Sequence, residues 1–358
     1  MGDFPTTAAE VSAEWLTGRL RQAGALDHGR VTSIEWQPIG TGQVGDSARF
    51  ALRYEGGEGP PTIAGKFPAA DPTSRGTAAA FGLYVKEVGF YRELAPKLDV
   101  RVPRTYAAEV NDDGGEFVLL FEDLGPCRQG NQLDSCSLAD ARHAVRQAAA
   151  IHAPSWNDPT IVDLEWLSMK PEAVAQIMAM YPQAHAIFAD RYADSLEPEL
   201  MAVCHSLNEA REAWFGREQR DRCLIHGDFR LDNMLFDIRG GEEPIAVLDW
   251  QTVSTGSGLT DIGYFLGCGI GDALRREAEG ELLDLYCAEM TARGVPLDHG
   301  AVWDHYRLGA LHGISTAVFS SAFVERTERG DANFLSMARG ACALALAHNS
   351  IGLLSGKG

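Results

Sequence analysis

The sequence predicts an α+β chain of two unlike lobes, β-rich over residues 1–122 and mainly helical over 123–358. Three observations carry this. Residues 31–121 alternate short strand patterns with Gly and Pro punctuation. After Glu122-Asp123-Leu124-Gly125 the apolar spacing changes to the helical repeat. A compact β insert, Cys223 to Trp250, then interrupts the helices. With 358 residues and 45% hydrophobic content, the chain can bury a core in each lobe.

The elements follow in order. Thr7 to Leu26 reads as an amphipathic helix with Val11, Trp15, Leu16 and Leu20 on one side. Val31 to Ile39 is a strand, followed by the run GTGQVGD and a second strand, Ser47 to Tyr54, in which Phe50, Leu52 and Tyr54 share a face. Thr62 to Phe67 is a third strand. Ala78 to Leu94 has the stripe Phe81, Tyr84, Val88, Tyr91 of one helix. Val110 to Phe121, split by NDDGG, is a hairpin. Helices are expected over Leu138–His152, Pro171–Met180, Glu197–Gly216, Asp272–Arg293, Val302–Phe323 and Asn333–Leu354.

Charge and composition exclude several functions. A formal net charge of −19 argues against nucleic acid, whose phosphates reward Lys and Arg, and against an anionic membrane surface. No apolar run reaches membrane-spanning length. The seven Cys form no CxxC pair, so neither a zinc site nor a disulfide framework is indicated. The N-terminal stretch lacks a signal-peptide pattern, and a cytoplasmic location is the expectation. Nothing in the pattern speaks to oligomeric state.

The strongest motif is His226-Gly227-Asp228-Phe229-Arg230-Leu231-Asp232-Asn233, set between apolar strand residues. Phosphoryl transfer from ATP needs positioning and charge stabilisation more than covalent help. One carboxylate must orient the attacking hydroxyl, and Asp228 is the candidate catalytic base. A neutral oxygen ligand can hold a metal without adding repulsion, and Asn233 supplies one. The apolar run Pro244 to Leu248 delivers Asp249, the candidate carboxylate ligand for Mg²⁺, which prefers hard oxygens. Gly40, Gly42 and Gly45 form a GxGxxG run followed by a strand, not a helix. That order suits a flap over phosphates better than the strand-to-helix turn of a dinucleotide site. Lys66 then stands ready for the α- and β-phosphates. Glu87 is the candidate anchor for its ammonium group, and Glu93 the competitor.

This order of motifs resembles the aminoglycoside phosphotransferase and choline kinase superfamily. HGDFRLDNMLF and LDWQTVSTGSGLTDIGYFL look most like the ecdysteroid-kinase-like phosphotransferases and their bacterial relatives. The resemblance implies a protein-kinase-like two-lobed fold, ATP and Mg²⁺ as cofactors, and a small-molecule alcohol as phosphoryl acceptor. It further implies that Phe121 to Leu124, including Glu122 and Leu124, is the hinge whose backbone meets adenine. His226 and Asp261 become structural supports. The Arg of H-R-D, the Phe of D-F-G and an A-P-E are missing, which disfavours a phospho-switched protein kinase.

The helix AVWDHYRLGALHGISTAVFSSAF carries Trp303, His305, Tyr306 and His312 in an apolar setting, which reads first as core. No acidic cluster suited to aminoglycosides is visible, so a lipophilic or lightly polar alcohol is the expected acceptor. A catalytically inactive nucleotide-binding pseudokinase and an aminoglycoside-type antibiotic kinase are the alternatives. A dinucleotide oxidoreductase, resting on GxGxxG alone, is the remaining rival.

Overall fold

Five antiparallel strands build the first lobe: β1 Arg30–Ile39, β2 Gly45–Glu55, β3 Thr62–Pro68, β4 Thr105–Val110 and β5 Phe117–Glu122, in the spatial order β1-β2-β3-β5-β4. The computed structural model describes residues 4–40, 45–169, 171–218, 221–324 and 326–355. Every residue of β5 is buried, because both faces of the sheet are covered. Val118 and Leu120 pack with Phe50, Ile63, Leu16 and Leu20 under the N-terminal helix. Phe117, Leu119 and Phe121 pack on the opposite side with Tyr84, Val88 and Tyr91.

Several helices are shorter or more broken than the periodicity suggests. The first is Ala13–Gln22, capped by the Ser12 hydroxyl, which accepts from the Trp15 amide. The stretch from Ala78 to Leu94 is not one helix. Pro72–Ala80 ends before Gly82, whose left-handed φ of 66° breaks the run, and Leu83–Gly89 begins a new axis. A wider turn, Phe90–Leu94, continues it. Glu197 to Gly216 divides into Pro198–Glu209 and Arg211–Phe215, whereas the helix starting at Pro171 runs on to Arg191. The last segment splits into Glu328–Ala347 and Ser350–Leu354 at Asn349, again left-handed, with φ of 51°.

The second lobe is helical around a small β insert. Strand β6 (Arg128–Gln129) pairs with β8 (Met234–Asp237), and β8 pairs with β9 (Glu243–Val247). Strand β7 (Cys223–Ile225) pairs instead with β10 (Ser254–Gly256). Helices Leu138–His152, Leu259–Tyr264, Asp272–Ala292, His299–Phe323 and Glu328–Ala347 surround this insert and share its core. No helix among the described residues is long and apolar enough to cross a membrane.

Candidate active site

The loop after β7 is held rigidly from beneath. The buried Asp261 carboxylate accepts from the His226 amide at 2.7 Å and the Gly227 amide at 3.0 Å, and also meets His152 Nε2 at 3.2 Å. Gly227 has φ of 80°, and a Cβ there would lie 2.6 Å from the Thr252 carbonyl, so only glycine fits. His226 uses both ring nitrogens internally. Its Nε2 donates to the Leu248 carbonyl at 2.9 Å, and its Nδ1 accepts from the Asp228 amide at 3.2 Å, which assigns the neutral Nε2–H tautomer. From the long helix, His312 Nε2 donates to the Gly227 carbonyl at 2.8 Å.

Asp228 emerges from this loop surrounded by donors. Tyr264 Oη donates to Oδ1 at 2.7 Å, Arg230 Nε reaches both oxygens at 2.9 and 3.0 Å, and Asn233 Nδ2 donates to Oδ2 at 2.8 Å. Burial pushes the carboxyl up, but the Arg230 charge and the Tyr264 and Arg230 bonds outweigh it and bring the pKa to about 2. Arg230 itself is shared with Asp232 at 2.8 Å and Gln132 at 3.1 Å. Arg230, Tyr264 and His312 were not assigned roles at the loop by sequence reasoning. Arg230 stood inside the quoted motif and could have been found there. Tyr264 and His312 sit 36 and 85 positions from their partners, and only the tertiary fold reveals those contacts.

Strands β8 and β9 form a hairpin that brings Asn233 and Asp249 to one end. Met234 faces Val247, and the Leu248 amide donates to the Asn233 carbonyl at 2.8 Å. Asn233 commits its nitrogen to Asp228, so Oδ1 is the atom through which this side chain could meet a cation. Asp249 accepts from Lys66 Nζ at 2.9 Å. The same ammonium donates to both Glu87 oxygens at 2.8 Å. Glu87, not Glu93, therefore meets Lys66; Glu93 instead accepts from Trp166 Nε1 at 3.3 Å. Burial pushes Glu87 up to about 7 against the pull of Lys66. Lys66 is pushed down by burial but ends above its ordinary value because Asp249 and Glu87 flank it. Trp250, next to Asp249, stacks on Phe90 with ring centroids 3.6 Å apart, which ties the Glu87 helix to the loop that carries Asp249.

Gly40 follows β1 and Gly45 begins β2, where it lies beside Lys66. Ile39 pairs with Ser47, so the turn is strand to strand and the dinucleotide reading loses its required helix. Gly40 has φ of 75°, and a Cβ on Gly45 would press within 3.0 Å of the Phe67 carbonyl and 3.2 Å of Lys66 Cε. Gly42 lies outside the described residues. At the hinge, Glu122 is fastened by its side chain to Arg101 at 2.6 Å, to the Arg104 amide at 2.8 Å, and to Arg239. Leu124 packs with Ile238 and Ala246 beside half-buried Leu235 and Leu248, and its carbonyl accepts from the Arg239 amide. An apolar floor thus lies next to the hinge, which the sequence reading had not singled out.

Residues 70–296 match the model of the phosphotransferase enzyme family, more than half of the chain. The chain belongs to that family. The choline kinase of Cryptosporidium parvum Iowa II has the same fold at 12% identity and TM-score 0.58, over 96% of this chain and 97% of that one. Wild-type aminoglycoside 2'-phosphotransferase-IIIa, solved with GDP, aligns at 16% identity and TM-score 0.52, over 87% and 93%. These likenesses make the fold of this family member kinase-like and two-lobed. Acyl-CoA dehydrogenase family member 11 of Mus musculus is 46% identical over 44 residues, which is 12% of this chain and 6% of that protein. The match therefore spans only a small part of that curated relative.

Proposed function

We propose that the protein is a kinase that transfers the γ-phosphoryl group of ATP, with Mg²⁺, to a hydroxyl of a small molecule. The observation that carries this reading is the cluster of Lys66, Glu87, Asp249, Asn233 and Asp228, with Gly45 beside Lys66 and β1 paired directly to β2. The family match supports it. Asp228 is proposed as the group that orients the acceptor hydroxyl and takes its proton. Arg230 and Tyr264 keep that carboxylate ionised and aimed, which suits a reaction dominated by positioning. Lys66, fixed by Glu87, is proposed to meet the α- and β-phosphates. Leu235 and Leu248 offer adenine an apolar floor, and the hinge from Phe121 to Leu124 its edge contacts.

The residues fit a magnesium ion. Among the described residues no group of three or more His, Cys, Asp or Glu could hold a metal by itself. Mg²⁺ does not need one, since it is usually bound by one or two carboxylates together with substrate phosphates. Asp249 and the Oδ1 of Asn233 would hold it. Bound there, it would neutralise charge on the transferred phosphoryl.

The acceptor is proposed to be an alcohol other than an aminoglycoside, and the narrower likeness to ecdysteroid-kinase-like proteins belongs with this proposal. Transfer of label from γ-³²P-ATP to a panel of hydroxylated compounds tests the reading. Mg²⁺-dependent labelling that disappears in Asp228→Ala is expected. Tight ATP·Mg²⁺ binding with no transfer to any acceptor would favour a pseudokinase instead.

A further inference from the structure

A small cavity of about 50 Å³ lies beside the catalytic loop, lined in part by Trp214, Arg217, Ser257, Thr260, His305 and Leu308. Its position is tied to the reacting group through two short paths. Thr260 precedes Asp261, which holds the His226 and Gly227 amides. Leu308 lies one helical turn before His312, which holds the Gly227 carbonyl. His312 is held below its ordinary pKa first by burial, and Arg217 is among the charges that add to this.

Arg217 is the unusual member. Its Nη1 donates to the Trp214 carbonyl at 2.7 Å, and its guanidinium lies 3.5 Å from the Trp214 ring centroid. It has no carboxylate partner among the described residues, and burial alone pushes its pKa down to about 10. Two other shielded arginines are treated differently: half-buried Arg230 meets Asp228 and Asp232, and buried Arg275 meets Asp272 and Glu279. Glu218, which also lines the cavity, is exposed and is not without an interaction. A half-buried cation in a cavity that Ser257 and Thr260 also line, without a carboxylate partner among the described residues, is stabilised when an anion reaches it.

We infer that Arg217, with the hydroxyls of Ser257 and Thr260, forms an anion subsite that receives a carboxylate or phosphate group of the acceptor alcohol. The inference rests on the kinase reading. It narrows the acceptor to a hydroxylated anion and disfavours polycationic aminoglycosides, which the guanidinium would repel. The guanidinium lies over the Trp214 ring, and the exposed His305 also lines the cavity.

Two measurements test it separately from catalysis. With the nucleotide site filled by ADP·Mg²⁺, acetate and methyl phosphate are titrated in turn while the ¹⁵Nε–H NMR signal of Arg217 is followed. Loss of that signal in Arg217→Met assigns it. A saturable shift is expected, and the stronger of the two probes distinguishes carboxylate from phosphate. No shift with either probe overturns the proposal. Kinetics then compare linear ω-hydroxycarboxylates and hydroxyalkyl phosphates with diols of the same length. A KM lower by about 10-fold or more is expected for the anionic acceptors, the size of one charge-assisted hydrogen bond. That advantage should vanish in Arg217→Met and persist in part in Arg217→Lys. Equal KM values for anion and diol in the wild type overturn the subsite while leaving the kinase reading intact. Saturable anion binding with no acceptor phosphorylated upholds the subsite and sinks the kinase reading.

Discussion

Asp228 is bonded by Tyr264, Arg230 and Asn233, so its replacement removes the hub of the loop as well as the proposed base. Asp228→Ala is expected to lower kcat by at least ~10²-fold, the lower range for general acid–base assistance. ATP binding, read by calorimetry, should survive. Tyr264→Phe removes one bond to a charged acceptor, worth about 1.5–3 kcal/mol. It should lower kcat while the KM for ATP stays unchanged; a loss confined to ATP binding would contradict the placement of Tyr264 at Asp228. Glu87→Gln removes the charge that fixes Lys66 opposite Asp249 and should raise the KM for ATP together with a fall in kcat. At this scale the sequence was most legible. The carboxylates and the amide stand in one short loop and one strand end, where chemistry constrains residue type. The proposed role of Arg217 was not legible, because its contacts with Trp214 and the cavity around it appear only in the fold.

Single elements explain why the loop holds its shape. Asp261 caps two loop amides and meets His152, so three segments converge on one buried carboxylate. Burial pushes Asp261 up, but the bonds from His152 and from the His226 amide outweigh it and hold its pKa below the ordinary value. A folded-state pKa below the unfolded one contributes stability above the unfolded value, lost as pH falls through the folded value. Wild-type denaturation midpoints should therefore hold between pH 7 and about 5 and fall steeply below pH 4, the range of an unperturbed Asp. Asp261→Asn should cost about 3 kcal/mol at pH 7, as when one partner of a buried charge is removed, and should flatten that acid dependence. An Asp261→Asn protein with wild-type stability at pH 7 would refute the cap. Gly227→Ala should destabilise by ~1–3 kcal/mol, because its φ is positive and its Cβ would meet the Thr252 carbonyl. Strand positions were legible from period-2 alternation and turn residues. Helix ends were not, since Gly82 and Asn349 each insert one left-handed residue inside an otherwise continuous apolar stripe.

The whole molecule works by bringing groups far apart in sequence to one cleft. Lys66 and Asp249 are 183 positions apart yet 2.9 Å from contact atom to contact atom, across the junction of the two lobes. The sequence pattern changes after Glu122, whereas the ion-pair ring of Arg101, Glu122, Arg239 and Glu243 in that region left no mark in it. Surface charges give no periodic signal before the fold is known. A net charge of −19 surrounds this cleft, so the local cations Lys66 and Arg230 must offset the field that an incoming triphosphate meets. Raising ionic strength should then change the KM for ATP less than a screened, purely long-range attraction would. The most direct test of the account is the position of Mn²⁺, substituted for Mg²⁺ and located by anomalous scattering in crystals grown with a non-hydrolysable ATP analogue. The account expects the ion bound by Asp249 and the Oδ1 of Asn233, touching the phosphates beside Lys66. A metal and triphosphate bound elsewhere, with Asp228, Asn233 and Asp249 facing only solvent, would contradict it.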